Sequence, residues 1–163
     1  MRLPLTIAAG LVISLAFNVP VLSNSPLPTA QTRPNQAKMI QLQVNRRLWR
    51  KRNISNYRYT LTRSCFCTPE AREPVVIEVR KGVTTAVTSV KTNQPVDREL
   101  FKKYDNVPKL FNVIQDAINR KPSSLIVKYD PKFGYPTQIN VDYNSQIADE
   151  ELYLTVEKFQ VIK

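Results

Sequence analysis

The 163-residue chain is 42% hydrophobic, enough for one domain with its own core and too short for two ordinary ones. Its 24 Lys+Arg against 13 Asp+Glu give a formal charge of +11, but all ten basic residues before Glu70 stand without an acidic one, whereas fourteen basic and thirteen acidic residues nearly balance after it. The absence of His, with glycines only at Gly10, Gly82 and Gly134, excludes Ser-His-Asp and Cys-His machinery, imidazole metal ligation, the P-loop, the Gly-x-Gly-x-x-Gly turn and the Gly-x-Ser-x-Gly elbow.

Met1-Arg2 supplies a short positive region, and Leu3 to Phe17 is uncharged, mostly apolar and short for a membrane span. Residues 1–23 therefore read as an export signal, with a small-residue cleavage site at Val21-Leu22-Ser23. A retained N-terminal anchor is the alternative. Both place the protein outside the cytoplasm, periplasmic or secreted, where nucleic acid is not an expected partner. Residues 24–35, with Pro26, Pro28 and Pro34 among Ser, Thr and Gln, read as a flexible linker, leaving 36–163 as a single domain.

From Gln36 to about Asn53 the period is helical, with Ala37, Ile40, Val44 and Leu48 in one stripe widened by Met39 and Trp49. Arg46, Arg47, Arg50, Lys51 and Arg52 crowd the last turns, where cations meet the negative end of the helix dipole. The period then changes to two. Tyr57, Tyr59, Leu61, Cys65 and Cys67 share one face of a strand, with Arg58, Thr60, Thr62 and Ser64 on the other. Pro69 and Pro74 bracket a connection to a second strand, Pro74 to Arg80, and Lys81-Gly82 turns the chain into a third, Val83 to Val90. Lys91 to Asp105 is polar, with a helical turn around Arg98 to Lys103.

A second helix opens at Asn106 as N-cap with Pro108 in its first turn, and Leu110, Phe111, Ile114, Ala117 and Ile118 form its apolar stripe. Ser124 to Tyr129, Pro136 to Tyr143 and Glu151 to Val161 complete the strands. One-sided alternation throughout indicates an antiparallel sheet with one covered face. The fold class is thus α+β: about six strands, mainly antiparallel, with two helices on one face, in the order αβββαβββ.

Three groups of residues bear on chemistry. Cys65-Phe66-Cys67 is the most suggestive, since an exported thiol pair is normally oxidised or occupied. In a straight strand, Cα atoms two apart stand about 6.5 Å apart with parallel side chains, poor geometry for a bridge. A turn at Phe66, helped by Thr68-Pro69, would close a strained and relatively reducible ring. The pair reads as a bridge pinning the strand end, a thiol-exchange site, or two ligands for a soft ion such as Cu(I). Asp142, Asp149, Glu150 and Glu151 are weak oxygen-ligand candidates whose spacing fails the EF-hand pattern, so no metal or cofactor is expected; a solvated loop is the simpler reading. Arg46, Arg47, Arg50, Lys51 and Arg52 beside Trp49 suit either a solvated helix face or reversible contact with an anionic membrane surface. The numerous tyrosines read mainly as sheet residues, though a ring of them at an exposed edge would mark a ligand surface.

Asn56-Tyr57-Arg58-Tyr59-Thr60, Cys65-Phe66-Cys67, Pro74 to Val79, Leu110-Phe111 with Ile114, Tyr129-Asp130 through Gly134-Tyr135-Pro136 to Asp142-Tyr143, and Ala148-Asp149-Glu150-Glu151 together resemble a family of small exported bacterial proteins catalogued as a domain of unknown function. The similarity runs from about Leu48 to Phe159. It implies an envelope or secreted domain with no activity to transfer; this chain lacks the lipobox Cys that would imply a lipid anchor. The expectation is a non-enzymatic exported domain that binds a protein or envelope component through its uncovered sheet face or edge. Thiol redox or soft-metal handling through Cys65 and Cys67, and membrane-surface binding through residues 46–52, are the alternatives.

Overall fold

A computed structural model describes residues 34–163, which belong to one compact unit. The signal expected at 1–23 and nearly all of the linker expected at 24–35 lie outside the described residues. The elements are α1 (Pro34–Arg52), β1 (Tyr57–Cys65), the one-turn α2 (Pro69–Arg72), β2 (Val75–Arg80), β3 (Val83–Ser89), α3 (Val107–Arg120), β4 (Ser124–Tyr129), β5 (Pro136–Asp142) and β6 (Glu151–Val161), with 3-10 turns at Arg98–Phe101 and Ala148–Glu150.

The six strands form one sheet in the order β3-β2-β1-β6-β5-β4, every neighbouring pair antiparallel. Each half of the chain is a three-stranded meander. The halves join through β1 and β6, with Leu61 opposite Val156 and Cys65 opposite Leu152. The α+β class and all six strands agree with the alternation in the sequence. Tyr57, Tyr59, Leu61, Val75, Ile77, Val79, Leu125, Ile139, Val141, Leu154 and Val156 are buried on the inner face. The opposite face carries Arg58, Thr62, Glu78, Gln138 and Asn140, none of them buried.

Helix α3 closes the inner face with the expected stripe, Leu110, Phe111, Ile114, Ala117 and Ile118, all buried. Asn106 caps it: its side-chain oxygen accepts the Lys109 N–H at 3.0 Å. Lys121 ends it in the left-handed region at φ 53°, and Pro122 prevents continuation.

Helix α1 corrects two expectations. It begins at Pro34, so Pro34 and Asn35 are helical rather than linker; proline is well suited to a first turn, where its missing N–H is no loss. Its inner face is also rotated from the expected one. Leu42 and Trp49 are buried, with Met39 packed against the core, whereas Ile40 is 51% and Val44 59% exposed. The deciding side chain is Trp49, which meets Tyr57, Tyr135 and Phe159 edge-on at ring-centroid distances of 5.3, 6.4 and 5.8 Å. The close approach is made at Gly134, whose φ is +80° and where an added Cβ would stand 2.6 Å from the Asn45 carbonyl oxygen. With α1 seated there, the Ile40/Val44 stripe must face outward.

The remaining differences are local. β1 ends at Cys65 instead of running through Cys67, because the chain bends at Phe66. The connection bracketed by Pro69 and Pro74 contains α2, which buries Ala71. β2 begins one residue after Pro74, β3 stops one residue before Val90, and β5 stops one residue before Tyr143.

Candidate functional site

The bend after β1 brings the Cys65 and Cys67 Cα atoms to 5.4 Å and the two sulfurs are bonded. The turn at Phe66 thus removes the geometric objection that a straight strand raises. Held between the bridged cysteines, Phe66 is 81% exposed. Its loop forms the mouth of an open groove of about 820 Å³ that also takes in Lys103, Tyr104, Asn112, Val113 and Glu151. The walls come from the end of β1, the segment after the first 3-10 turn, α3, and the connection from β5 to β6.

Several groove cations are committed to the fold. The Arg63 guanidinium donates to the carbonyls of Ala71 at 3.0 Å and Leu100 at 2.9 Å and lies over the rings of Phe101 and Tyr104. It locks α2 and the first 3-10 turn onto β1. Lys109 Nζ is 2.7 Å from the buried Asp105 carboxylate, and Arg120 lies over the Tyr143 ring at 3.8 Å. Asp149, Glu150 and Glu151, which also line the groove, have no ion-pair partner among the described residues. The groove therefore combines the exposed Phe66 ring and the committed cations Arg63, Lys109 and Arg120 with the exposed Lys103 and the carboxylates of Asp149, Glu150 and Glu151.

The acidic candidates are only partly brought together. Glu151 pairs across the ladder with Asp142, whose Oδ1 is buried without a hydrogen-bond partner among the described residues, while Asp149 and Glu150 line the groove. Among the described residues no group of three or more Asp, Glu, Cys or His is placed to hold a metal ion. The basic candidates divide as well. Arg46 Nη2 donates to Asn112 Oδ1 at 3.3 Å and lies over Phe111; burial, followed by repulsion from Arg50, lowers its pKa. Arg52 Nε donates to the Lys132 carbonyl at 2.9 Å. Arg47, Arg50 and Lys51 are exposed and have no ion pair among the described residues.

The tyrosines are chiefly a core feature. Tyr57, Tyr59 and Tyr135 are buried; Tyr59 donates its hydroxyl proton to the Tyr104 carbonyl at 2.8 Å, and the Tyr57 oxygen accepts the Val107 N–H at 3.0 Å. Burial pushes Tyr57, Tyr129 and Tyr135 up to about 12, and Tyr59 well above its ordinary value. The groove residues Lys103, Tyr104, Asn112 and Val113 were not singled out by sequence spacing, because they belong to a polar connection and to the flank of α3. Of the groove residues, Cys65-Phe66-Cys67 and the acidic run Asp149-Glu150-Glu151 carried a signal in the sequence.

Fold and site together define a small α+β domain with a disulfide-closed aromatic loop beside a groove. Residues 41–161 match the model of the Family of unknown function (DUF6174), and the chain belongs to that family. The match spans the Leu48–Phe159 stretch that carries the resemblance. No curated protein and no solved structure matches the chain.

Proposed function

We propose that this is an exported, non-enzymatic binding domain that engages a protein of the cell envelope through Phe66 and the adjoining groove. The observation that carries the reading is Phe66, 81% exposed yet fixed between two bridged cysteines. Covering such a ring gains about 1.5–3 kcal/mol, and a loop ordered in advance loses little entropy when it binds. Aromatic anchors of this kind dominate interface energetics. The carboxylates of Asp149, Glu150 and Glu151, none in an ion pair among the described residues, favour a partner segment with basic or amide donors. The apolar Leu3–Phe17 segment and the bridged cysteines agree with an oxidising, extracytoplasmic location. The test is native electrophoresis of extracts from the producing cell. Wild-type protein is expected in a complex larger than the monomer, and Phe66→Ala is expected to release it; a complex unchanged by the substitution overturns the reading.

Thiol exchange is the second reading, supported by the lining of the groove by both cysteines. In that chemistry a partner dithiol is oxidised to its disulfide while the Cys65–Cys67 bond takes up two electrons and two protons and opens to two thiols. While bridged, neither sulfur is a thiolate ligand for a soft metal. Cys67→Ser leaves Cys65 free: a trapped mixed disulfide on non-reducing gels supports exchange, and none with a Phe66-dependent complex leaves simple binding.

A further inference from the structure

We propose that the outward face of α1 rests on an anionic lipid surface, Ile40 and Val44 entering the headgroup layer while Arg47 and Lys51 meet lipid phosphates. Ala37, Ile40, Val44, Arg47 and Lys51 recur at three- and four-residue steps, forming one stripe opposite the buried Leu42 and Trp49. The apolar half of that stripe is open, with Ile40 51% and Val44 59% exposed. Its basic half is unopposed: α1 contains no acidic residue, and none occurs anywhere before Glu70. Arg46 and Arg52 are excluded from the contact, since the first is held by Asn112 and the second by the Lys132 carbonyl.

Charge complementarity identifies an anionic occupant, and the apolar residues narrow it to lipid. A rigid polyanion would use Arg47 and Lys51 and leave Ile40 and Val44 in water. A bilayer accepts both, because branched apolar side chains enter the boundary region while long basic ones reach the phosphates. The helix lies on such a surface rather than across it, since no helix among the described residues is long and apolar enough to span a membrane. The chain also enters the domain through α1, directly after the segment that contains the apolar run Leu3–Phe17. None of these α1 residues lines the Phe66 groove, so both surfaces can be engaged at once.

The test uses the full chain carrying Val44→Cys labelled with an environment-sensitive nitrobenzoxadiazole dye, against vesicles of mixed phosphatidylglycerol and phosphatidylcholine or of phosphatidylcholine alone. The expected result is a blue shift with the anionic vesicles only, reversed by high salt, and none from the same dye at Thr85→Cys on β3. Arg47→Gln with Lys51→Gln is expected to raise the anionic lipid needed for half the shift about thirtyfold, with an unchanged melting temperature. A dye at position 44 that stays water-like on anionic vesicles, or shifts equally on neutral ones, overturns the proposal. A shift that grows with protein concentration in the absence of vesicles also overturns it, by assigning the face to a second copy of the chain.

Discussion

Gly134 shows at the residue scale how one position seats a helix. It combines φ +80° with a Cβ site 2.6 Å from the Asn45 carbonyl oxygen and 3.0 Å from Leu48 Cβ, whereas a Cβ at Gly82, φ +78°, would meet nothing within 4 Å among the described residues. Alanine at Gly82 is therefore expected to cost only the left-handed backbone term, about 1–2 kcal/mol. At Gly134 it adds displacement of α1, for a total of roughly 3–5 kcal/mol. Urea denaturation of the two variants checks the difference, and equal losses would mean that α1 does not press on this turn. Both glycines stand in turns between strands, Lys81-Gly82 and Asp130-Pro131-Lys132-Phe133-Gly134, whose Gly and Pro residues mark them in the sequence. The close approach at Gly134 is not legible there, because its partner lies on a helix nearly ninety positions earlier.

Helix α1 is where element-scale reading of the sequence fails, and for a physical reason. Two apolar rows compete on it: Ala37, Ile40, Val44 and Leu48 on one side, Met39, Leu42 and Trp49 on another. The second is interrupted by Arg46 and so scores worse by composition, but a guanidinium resting on Phe111 and bonded to Asn112 is tolerated at the rim of a core. Trp49→Ala is expected to destabilise by about 3–5 kcal/mol and Ile40→Ala by no more than about 0.5 kcal/mol. Thermal or urea unfolding of each distinguishes the two faces, and the reverse order would restore the face expected from sequence. The Cys65–Cys67 loop gives a second element-scale expectation. A ring closed over a sequence separation of two restrains little unfolded chain, so Cys65→Ser with Cys67→Ser should lower stability by no more than about 2 kcal/mol. A larger loss in urea would show the bridge to be a main support of the fold.

For the molecule as a whole, the tyrosine-rich core couples stability to alkaline pH. Tyr57, Tyr129 and Tyr135 are pushed up to about 12 by burial, from an ordinary value of 10. The folded state therefore holds protons that the unfolded state releases. Stability is complete below about pH 10 and is lost as pH rises through 10 toward 12. Tyr57 alone contributes roughly 2–3 kcal/mol to that loss. Absorbance titration should show these phenols ionising together with unfolding; smooth ionisation at ordinary values in a folded protein would contradict their burial.

The strands, the helix α3 with its Asn106 cap, and the α+β class were all legible, because period-two alternation and a capped amphipathic stripe are local signals. The groove was not, since it is assembled from the end of β1, a polar connection, the flank of α3 and the approach to β6. Phe66 was visible only as the residue between two cysteines; its exposure depends on the bend that closes the bridge. Five of the ten basic residues behind the +11 charge fall in the run 46–52 of α1; Arg47, Arg50 and Lys51 are exposed with no ion pair among the described residues, while Arg46 and Arg52 are tied to the protein.

Site-specific photocrosslinking in the producing cell tests whether the bridged loop presents Phe66 to a protein partner. A photoreactive phenylalanine analogue in place of Phe66 should yield a discrete adduct that is absent when the same analogue replaces Thr85 on β3. No adduct from position 66, or the same adduct from both positions, would contradict the claim.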